Sequence, residues 1–286
     1  MVLKTTVLSS IEEKMGTFTS AQRKVADYIL KNPTDVAFLT IEQLAGLTHV
    51  SVATVMRLSY SIGYTGFSQF QKVLQEMLRS RVAPPTRLEQ NVKKIGKNKL
   101  LIECAKTQMA NISKTVEFLS EESINDAFDL IFAAKKIYVI GIRGSGSVAS
   151  FLNEGLNPLG IDCELLVPDT ARLQAILARL TPDDLIIAIS LPRYAKRTIE
   201  TVEVAKNKGA KLLVITDSFS SPLAILADTF LVCSFESRSF HNSQIGTLFI
   251  ADFLITGVAT RDSRQTIQRL EGIEDVILSI KSNVRT

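Results

Sequence analysis

The sequence is poor in the residue types that catalysis and metal binding usually recruit. It holds two histidines and three cysteines in 286 residues. Cys104, Cys163 and Cys233 are widely spaced and odd in number. Neither a disulfide framework nor a cysteine-based metal site is expected from them. Each reads as a small buried apolar side chain, and no metal and no cofactor is expected. No apolar run approaches the roughly 18 residues of a membrane-spanning helix. The opening stretch MVLKTTVLSSIEEKMG lacks a secretion signal's apolar core and carries acidic groups early. A cytoplasmic protein without a membrane partner is the expectation. Internal repeats and low-complexity tracts are missing too. Charged residues make up 22% and apolar residues 46%, which excludes wholesale disorder. The length suits two domains of roughly 100 to 200 residues.

The charge that is present is unevenly placed. Net charge is +4, and its excess lies in the first hundred residues. Arg81, Arg87, Lys93, Lys94, Lys97 and Lys99 face only Glu89 between residues 81 and 100. Such asymmetry suits a polyanionic partner at the N-terminal end. A solvated basic linker would carry the same charge, so charge alone does not separate the two.

Hydrophobic periodicity changes along the chain. Up to residue 80 it is helical. Pro84-Pro85, in polar and basic surroundings, is expected to stop any helix there. Residues 100–134 read as one or two helices. Beyond them, apolar runs alternate with helix-period stretches: KIYVIGI (136–142), CELLV (163–167), LIIAIS (185–190), KLLVITD (211–217) and TFLVC (229–233). Fully apolar strands between helices indicate a parallel sheet covered on both faces. Residues 244–259 and 263–282 read as closing helices. The fold class is α/β: an all-α N-terminal domain (1–80), a basic linker (81–100), and a doubly wound parallel-sheet domain (101–286).

In the first domain, SAQRKVADYILK places Val25, Tyr28 and Ile29 on one helical face, and Asn32-Pro33 ends that helix. Thr40 with Gln43 forms a capping box. Ser51 is a good N-cap for the next helix, whose apolar face is Val52, Val55, Met56 and Leu58 or Ser59. Only a few residues join the two helices, so they must cross steeply, as in a helix-turn-helix. The exposed N-terminal positions of the second helix are then Ser51, Ala53, Thr54 and Arg57, the candidate DNA-binding residues. Hydroxyls and amides reach phosphates, and Arg57 reaches a guanine edge or a phosphate. His49 sits in the turn, where a left-handed backbone is needed. Gly63 caps the second helix, and Phe67 and Phe70 fold back onto the core.

The stretch from Phe18 to Leu78 resembles the N-terminal domain of the RpiR/MurR family of bacterial regulators. TSAQRKVADYILKNP, TIEQLA and VSVATVMRLSYSIGYTGF follow in the family's order and spacing. The family's usual Arg-Phe-Cys is here Arg57-Leu58-Ser59.

In the second domain, YVIGIRGSGSVASFLNEGL places a glycine-rich turn between a strand and a helix, an anion site in principle. It lacks the Gly-Lys-Ser/Thr of a P-loop and the acidic residue of a dinucleotide site. The strand LIIAIS ends at Ser190 and leads through LPRYAKRT into a helix. Ligands of open parallel sheets sit at such strand ends. Arg143, Ser145, Ser147, Ser190, Arg193 and His241 are the candidate ligand-binding residues. Lys196 and Arg197 add positive charge.

Residues 125–260 resemble the SIS (sugar isomerase) domain that the same family carries. The resemblance rests on GIRGS, on ISLPRYAKRTIETVEVAKNKGAKLLVITDS and on SSPLAILAD. It implies a phosphosugar bound by serines of the two loops, Ser145 and Ser190. The sequence departs from the pattern. Pro192, Arg193 and Ala195 stand where Ser, Gly and Thr are usual, and Arg143 stands where Gly is common.

The resulting expectation is a non-enzymatic, sequence-specific regulator. It would bind a double-stranded operator and a small phosphorylated sugar or related anion. It would be a homodimer or homotetramer through its SIS domain. The alternative is a sugar-phosphate isomerase, with His241 or Glu154 as the base and no catalytic residue established. A ligand-free architectural protein is a third reading, against which the polar loops argue.

Overall fold

A computed structural model describes residues 7–81, 84–94, 99–168, 170–219, 221–261 and 263–283. The chain divides into two compact units, the first running to Lys94 and taking in 218–222 as well.

The first unit is helical: α1 (Val7–Lys14), α2 (Ser20–Lys31), α3 (Pro33–Val36), α4 (Ile41–Leu47), α5 (Val52–Ser61), α6 (Phe67–Arg81) and α7 (Pro84–Lys94). Capping boxes at Thr19–Gln22 and Thr40–Gln43 start α2 and α4. Each satisfies two orphan amides of the first turn. Val25, Ile29, Leu44, Val55, Leu58, Phe67, Phe70 and Leu74 close one buried core. Tyr64 meets Phe70 edge to face at 5.7 Å between ring centres. Val52, expected on the buried face, is instead 39% exposed. It is the first residue of α5, a turn ahead of the packed stripe.

α7 begins at Pro84-Pro85, which were expected to stop a helix. Proline breaks helix interiors, but its fixed φ and missing amide cost nothing in a first turn. The expected linker is thus helical over much of its length. Its Lys97 lies outside the described residues, as do the side chains of Arg81, Lys93 and Lys94.

The second unit opens with α8 (Leu100–Phe118) and α9 (Glu121–Ala133). The α/β core follows: β1 (Lys136–Gly141), α10 (Gly144–Leu156), β2 (Cys163–Leu165), α11 (Ala171–Arg179), β3 (Asp184–Ile189), α12 (Lys196–Asn207), β4 (Lys211–Thr216) and β5 (Thr229–Val232). α13 (Ile245–Arg261) and α14 (Ser263–Asn283) close the chain. All five strand runs read from the sequence are strands. They pair in parallel in the order β2-β1-β3-β4-β5. Alternate side chains go to opposite layers. Ile137, Val139, Leu185 and Ile187 pack with Val148, Leu152 and Leu254 on one face. Tyr138, Ile140, Ile186 and Ala188 pack with Leu173, Ile176 and Val202 on the other.

Cys163 and Cys233 are buried, whereas Cys104 is half-buried on α8, a departure from the expectation of three buried thiols. Burial pushes the Cys163 thiol up to about 12 and that of Cys233 well above its ordinary value, so both behave as apolar side chains. Among the described residues no helix is long and apolar enough to cross a membrane.

α5 ends in a Schellman motif. The Tyr64 amide donates to the Ser59 carbonyl and the Gly63 amide to Tyr60, both at 3.0 Å. Gly63 takes φ +100° between them. A Cβ there is strained even though the space is open. Gly63→Ala should therefore lower stability by about 1 kcal/mol, read as a reduced thermal midpoint. An unchanged midpoint would contradict this account of the cap.

Candidate functional site

The helix-turn-helix rests on two matching helix ends. α4 ends as α5 does: the Val50 amide donates to Ala45 at 3.0 Å and the His49 amide to Gly46 at 3.1 Å. His49 fills the position that Gly63 fills in α5, at φ +53°. The expected left-handed turn residue is thus in place. Ser51 then caps α5 by accepting the Thr54 amide at 3.3 Å.

The four residues expected on the reading face divide. Ser51, Ala53 and Arg57 are exposed, but Thr54 is only 7% exposed. Its side chain turns along the helix instead of outward. Its hydroxyl lies 3.0 Å from the Ser51 hydroxyl and accepts from the Arg57 guanidinium at 3.4 Å. A relay at i, i+3 and i+6 results, in which Thr54 links the cap to the arginine. Exposed Val52, which the periodicity had assigned to the core, joins the outer face.

The second site lies at the carboxyl edge of the sheet. β1 and β3 are neighbours, with Gly141 opposite Ile189, and their following helices pack on opposite faces. This is the switch point of a doubly wound sheet, where a crevice must open. Loop 142–143 leads into α10 and loop 190–195 into α12. Ser145 is 5% and Ser190 4% exposed. Ser190 is fixed by its amide to Ile215 and by its carbonyl, which accepts the Thr216 hydroxyl at 2.9 Å. No described residue engages the Ser145, Ser147 or Ser190 hydroxyl. Ser147, two residues further along α10, is exposed.

Arg143 and Arg193 are exposed and adopt positive φ, 60° and 77°. Among the described residues His49 is the other non-glycine case. Tyr194 anchors the second loop by donating to both Asp217 oxygens, at 3.0 and 3.2 Å. Lys196 and Arg197, both exposed, each lie 3.2 Å from Glu200 on α12.

His241 is carried on the segment that touches both loops. Asn242 donates to the Pro192 carbonyl at 2.9 Å. Gln244 packs so close to Gly144 that a Cβ there would meet its amide nitrogen at 2.9 Å. The His241 ring is exposed and lies edge-on to Phe240. Sequence reading missed Asn242 and Gln244. Polar residues before a helix give no periodic signal that marks them as loop partners.

The same segment is tied to α8. Asn111, almost wholly buried, accepts the Ser234 hydroxyl (2.9 Å) and the Glu236 amide (3.0 Å). It donates to the Glu236 carbonyl at 2.7 Å. The Thr115 hydroxyl accepts the Ser234 amide at 3.0 Å, and Ser243 donates to Gln108 at 2.5 Å. One helix thus holds both ends of the segment that bears His241. Asn111→Ala removes one hub and strands three backbone or hydroxyl groups. It should cost about 3 kcal/mol and speed amide exchange across residues 234–243. Unaltered exchange there would remove Asn111 from that role.

Comparison with known proteins fits both sites. Residues 5–81 match the helix-turn-helix domain of the rpiR family and residues 130–269 match the SIS domain. An HTH-type transcriptional regulator of Thermotoga maritima is 30% identical over 264 residues, 90% of this chain and 93% of that one. The sugar isomerase domain of an RpiR transcription factor from Sphaerobacter thermophilus is 29% identical, with a TM-score of 0.60 over 62% of this chain and 99% of that one. The Vibrio vulnificus NanR protein complexed with ManNAc-6P is 24% identical, with a TM-score of 0.65 over 96% of this chain and 98% of that one. At that identity NanR speaks for the fold alone.

Proposed function

The chain belongs to the rpiR family of helix-turn-helix transcriptional regulators with a SIS domain, and on that premise we propose that a small anionic metabolite, a sugar phosphate, sets its affinity for a double-stranded operator. The observation that carries this reading is the β1/β3 switch point, where two buried serines with unengaged hydroxyls and two exposed arginines stand on the two connections. The NanR protein, which shares this fold, is complexed with a sugar phosphate, ManNAc-6P, and the same class of ligand is proposed for this chain.

In operator binding α5 enters the major groove. Arg57 reads a base edge or grips a phosphate, Thr54 holds it, and Val52 and Ala53 offer apolar contact to thymine methyls. The effector bridges loops 142–147 and 190–195, with His241 beside it. Its contact with segment 234–244 moves α8 through Asn111, Gln108 and Thr115. This gives the coupling a continuous hydrogen-bonded route within the second unit.

Catalysis fits less well. Glu154 lies ten residues along α10, about 15 Å from its start by helical rise. It is exposed and held by the Ser150 hydroxyl at 2.9 Å. His241 serves as a ligand contact. The protein acts in the cytoplasm, where its operator is.

It does so as a homodimer or homotetramer through the second unit. α14 supports this, because Ile267, Leu270, Ile273, Ile277 and Ile280 form an exposed apolar stripe. The stripe recurs at the three- and four-residue steps of a helix seam. It is nearly self-complementary when two copies run antiparallel about residues 271–272, with Ile267 facing Ile277 and Leu270 facing Ile273. Two-fold symmetry favours such isologous pairing.

Two experiments follow. Arg57→Ala should weaken binding to a selected operator by about tenfold or more and leave effector binding intact. Ser190→Ala should blunt the effector response and spare DNA binding. Loss of both functions in either variant would contradict the assignment. Leu270→Asp with Ile277→Asp should shift the sedimenting species to a smaller assembly, and an unchanged assembly would remove α14 from the interface.

A further inference from the structure

α8 packs on the second unit by its polar side. Its buried and half-buried positions are Glu103, Cys104, Thr107, Gln108, Asn111 and Thr115. Asn111, Thr115 and Gln108 hold segment 234–243, and Arg238 of that segment donates to Thr107 at 2.9 Å and to Glu103 at 3.3 Å. The apolar residues face outward. Ile102, Met109 and Val116 are 56%, 68% and 53% exposed, Ala105 and Ile112 are exposed with them, and Leu101 stands beside them. A surface helix ordinarily does the reverse, with its apolar stripe on the core and its polar face in water.

The outward residues are also ordered. Ile102, Ala105, Met109, Ile112 and Val116 recur at alternating steps of three and four. That is the a and d spacing of a seam between two helices, and no charged residue interrupts it. At 3.6 residues per turn the seam lies roughly opposite the packed polar face.

We propose that this seam pairs with α8 of a second copy, the two helices running antiparallel about a two-fold axis between Ala110 and Asn111. This rests on the homo-oligomer reading above and adds a second contact surface, on a different helix from α14. The register is self-complementary. Met109 faces the partner's Ile112, and small Ala105 faces the partner's branched Val116. Charge complements it. Lys106 and Glu117 are exposed on one flank of the seam. In the antiparallel pair Lys106 comes within two residues, about 3 Å along the axis, of the partner's Glu117, and the two-fold axis repeats the pair. A parallel arrangement would set Ala105 against Ala105 and leave a gap. It would also place Lys106 beside the partner's uncharged Leu101 and Gln108. The area is sufficient. The exposed parts of Leu101, Ile102, Met109, Ile112 and Val116 amount to about three whole side chains per copy, at roughly 100 Å² each. Two copies would withdraw about 600 Å² of apolar surface from water. With the usual polar share that makes about 1,000 Å² in all, the least that a specific interface buries.

The test uses the full chain in sedimentation. Met109→Asp with Val116→Asp should halve the mass of the parent assembly. Its far-UV spectrum should stay unchanged, because both side chains are exposed within one copy. The register is tested by charge exchange. Lys106→Glu and Glu117→Lys should each weaken self-association by about threefold or more, and the two together should restore it. Crosslinking tests the direction, in a Cys104→Ser parent. Chains with Ala105→Cys and chains with Val116→Cys, co-expressed under different tags, should form a disulfide-linked pair, and neither should crosslink to itself. An aspartate variant of unchanged mass, beside α14 variants of halved mass, would overturn this proposal and leave the α14 contact standing. Self-crosslinking of either cysteine chain, or a charge exchange that restores nothing, would overturn the antiparallel register. A parent that sediments as a single chain at every concentration would overturn the homo-oligomer reading and this proposal together.

Discussion

A parallel sheet buried on both faces has nowhere to put chemistry except its ends. β1, β3 and β4 are apolar on both sides because helices cover both sides, and that burial supplies most of the folding energy of the second unit. Everything polar must then be placed at the strand termini. The strand order adds the second constraint. Between β1 and β3 the chain switches from one face to the other. The connections there diverge, and segment 234–244 reaches both of them. Ser145, Ser190, Arg143 and Arg193 all stand at that edge because the topology brings both connections there.

The crevice is not closed off from the rest of its unit. Segment 234–244 reaches both loops through Asn242 and Gln244 and reaches α8 through Asn111, Thr115 and Gln108. Buried polar networks of this kind are costly when half satisfied and rigid when complete. A ligand that draws on one end of the segment therefore acts on a stiff body. α8 is the first helix described after Lys94.

Much of this was legible in the sequence, and the reasons differ by element. The five strands were legible because double-sided burial makes them continuous apolar runs. The helix-turn-helix was legible because Thr40, Gln43 and Ser51 mark helix starts by side-chain chemistry, and Gly63 marks a stop. His49 was legible for the same reason, since a left-handed turn residue is a local property. Thr54 was misjudged. Helical spacing places it at the front of α5, but its hydroxyl finds Ser51 and Arg57 along the helix, and packing covers it. Val52 was misjudged in the opposite direction, for apolar character at a helix's first residue does not imply a neighbour. Pro84-Pro85 misled because proline both ends and starts helices, and only context decides. The strain at Arg143 and Arg193 had a sequence signal, arginine where glycine is usual, but its meaning needed the backbone angles. The Asn111 hub spans more than 120 positions, and no local pattern announces such a contact.

The central claim is that one chain holds a DNA-reading helix and an anion crevice that are energetically linked. Linkage is reciprocal, so the most direct measurement is a closed cycle on the intact protein. Operator affinity is titrated with and without a binding phosphorylated probe, and probe affinity with and without operator, at one fixed salt concentration. The account predicts that the two affinities change by the same factor, on the order of 5- to 150-fold. Two binding events that leave each other's affinity unchanged would contradict it.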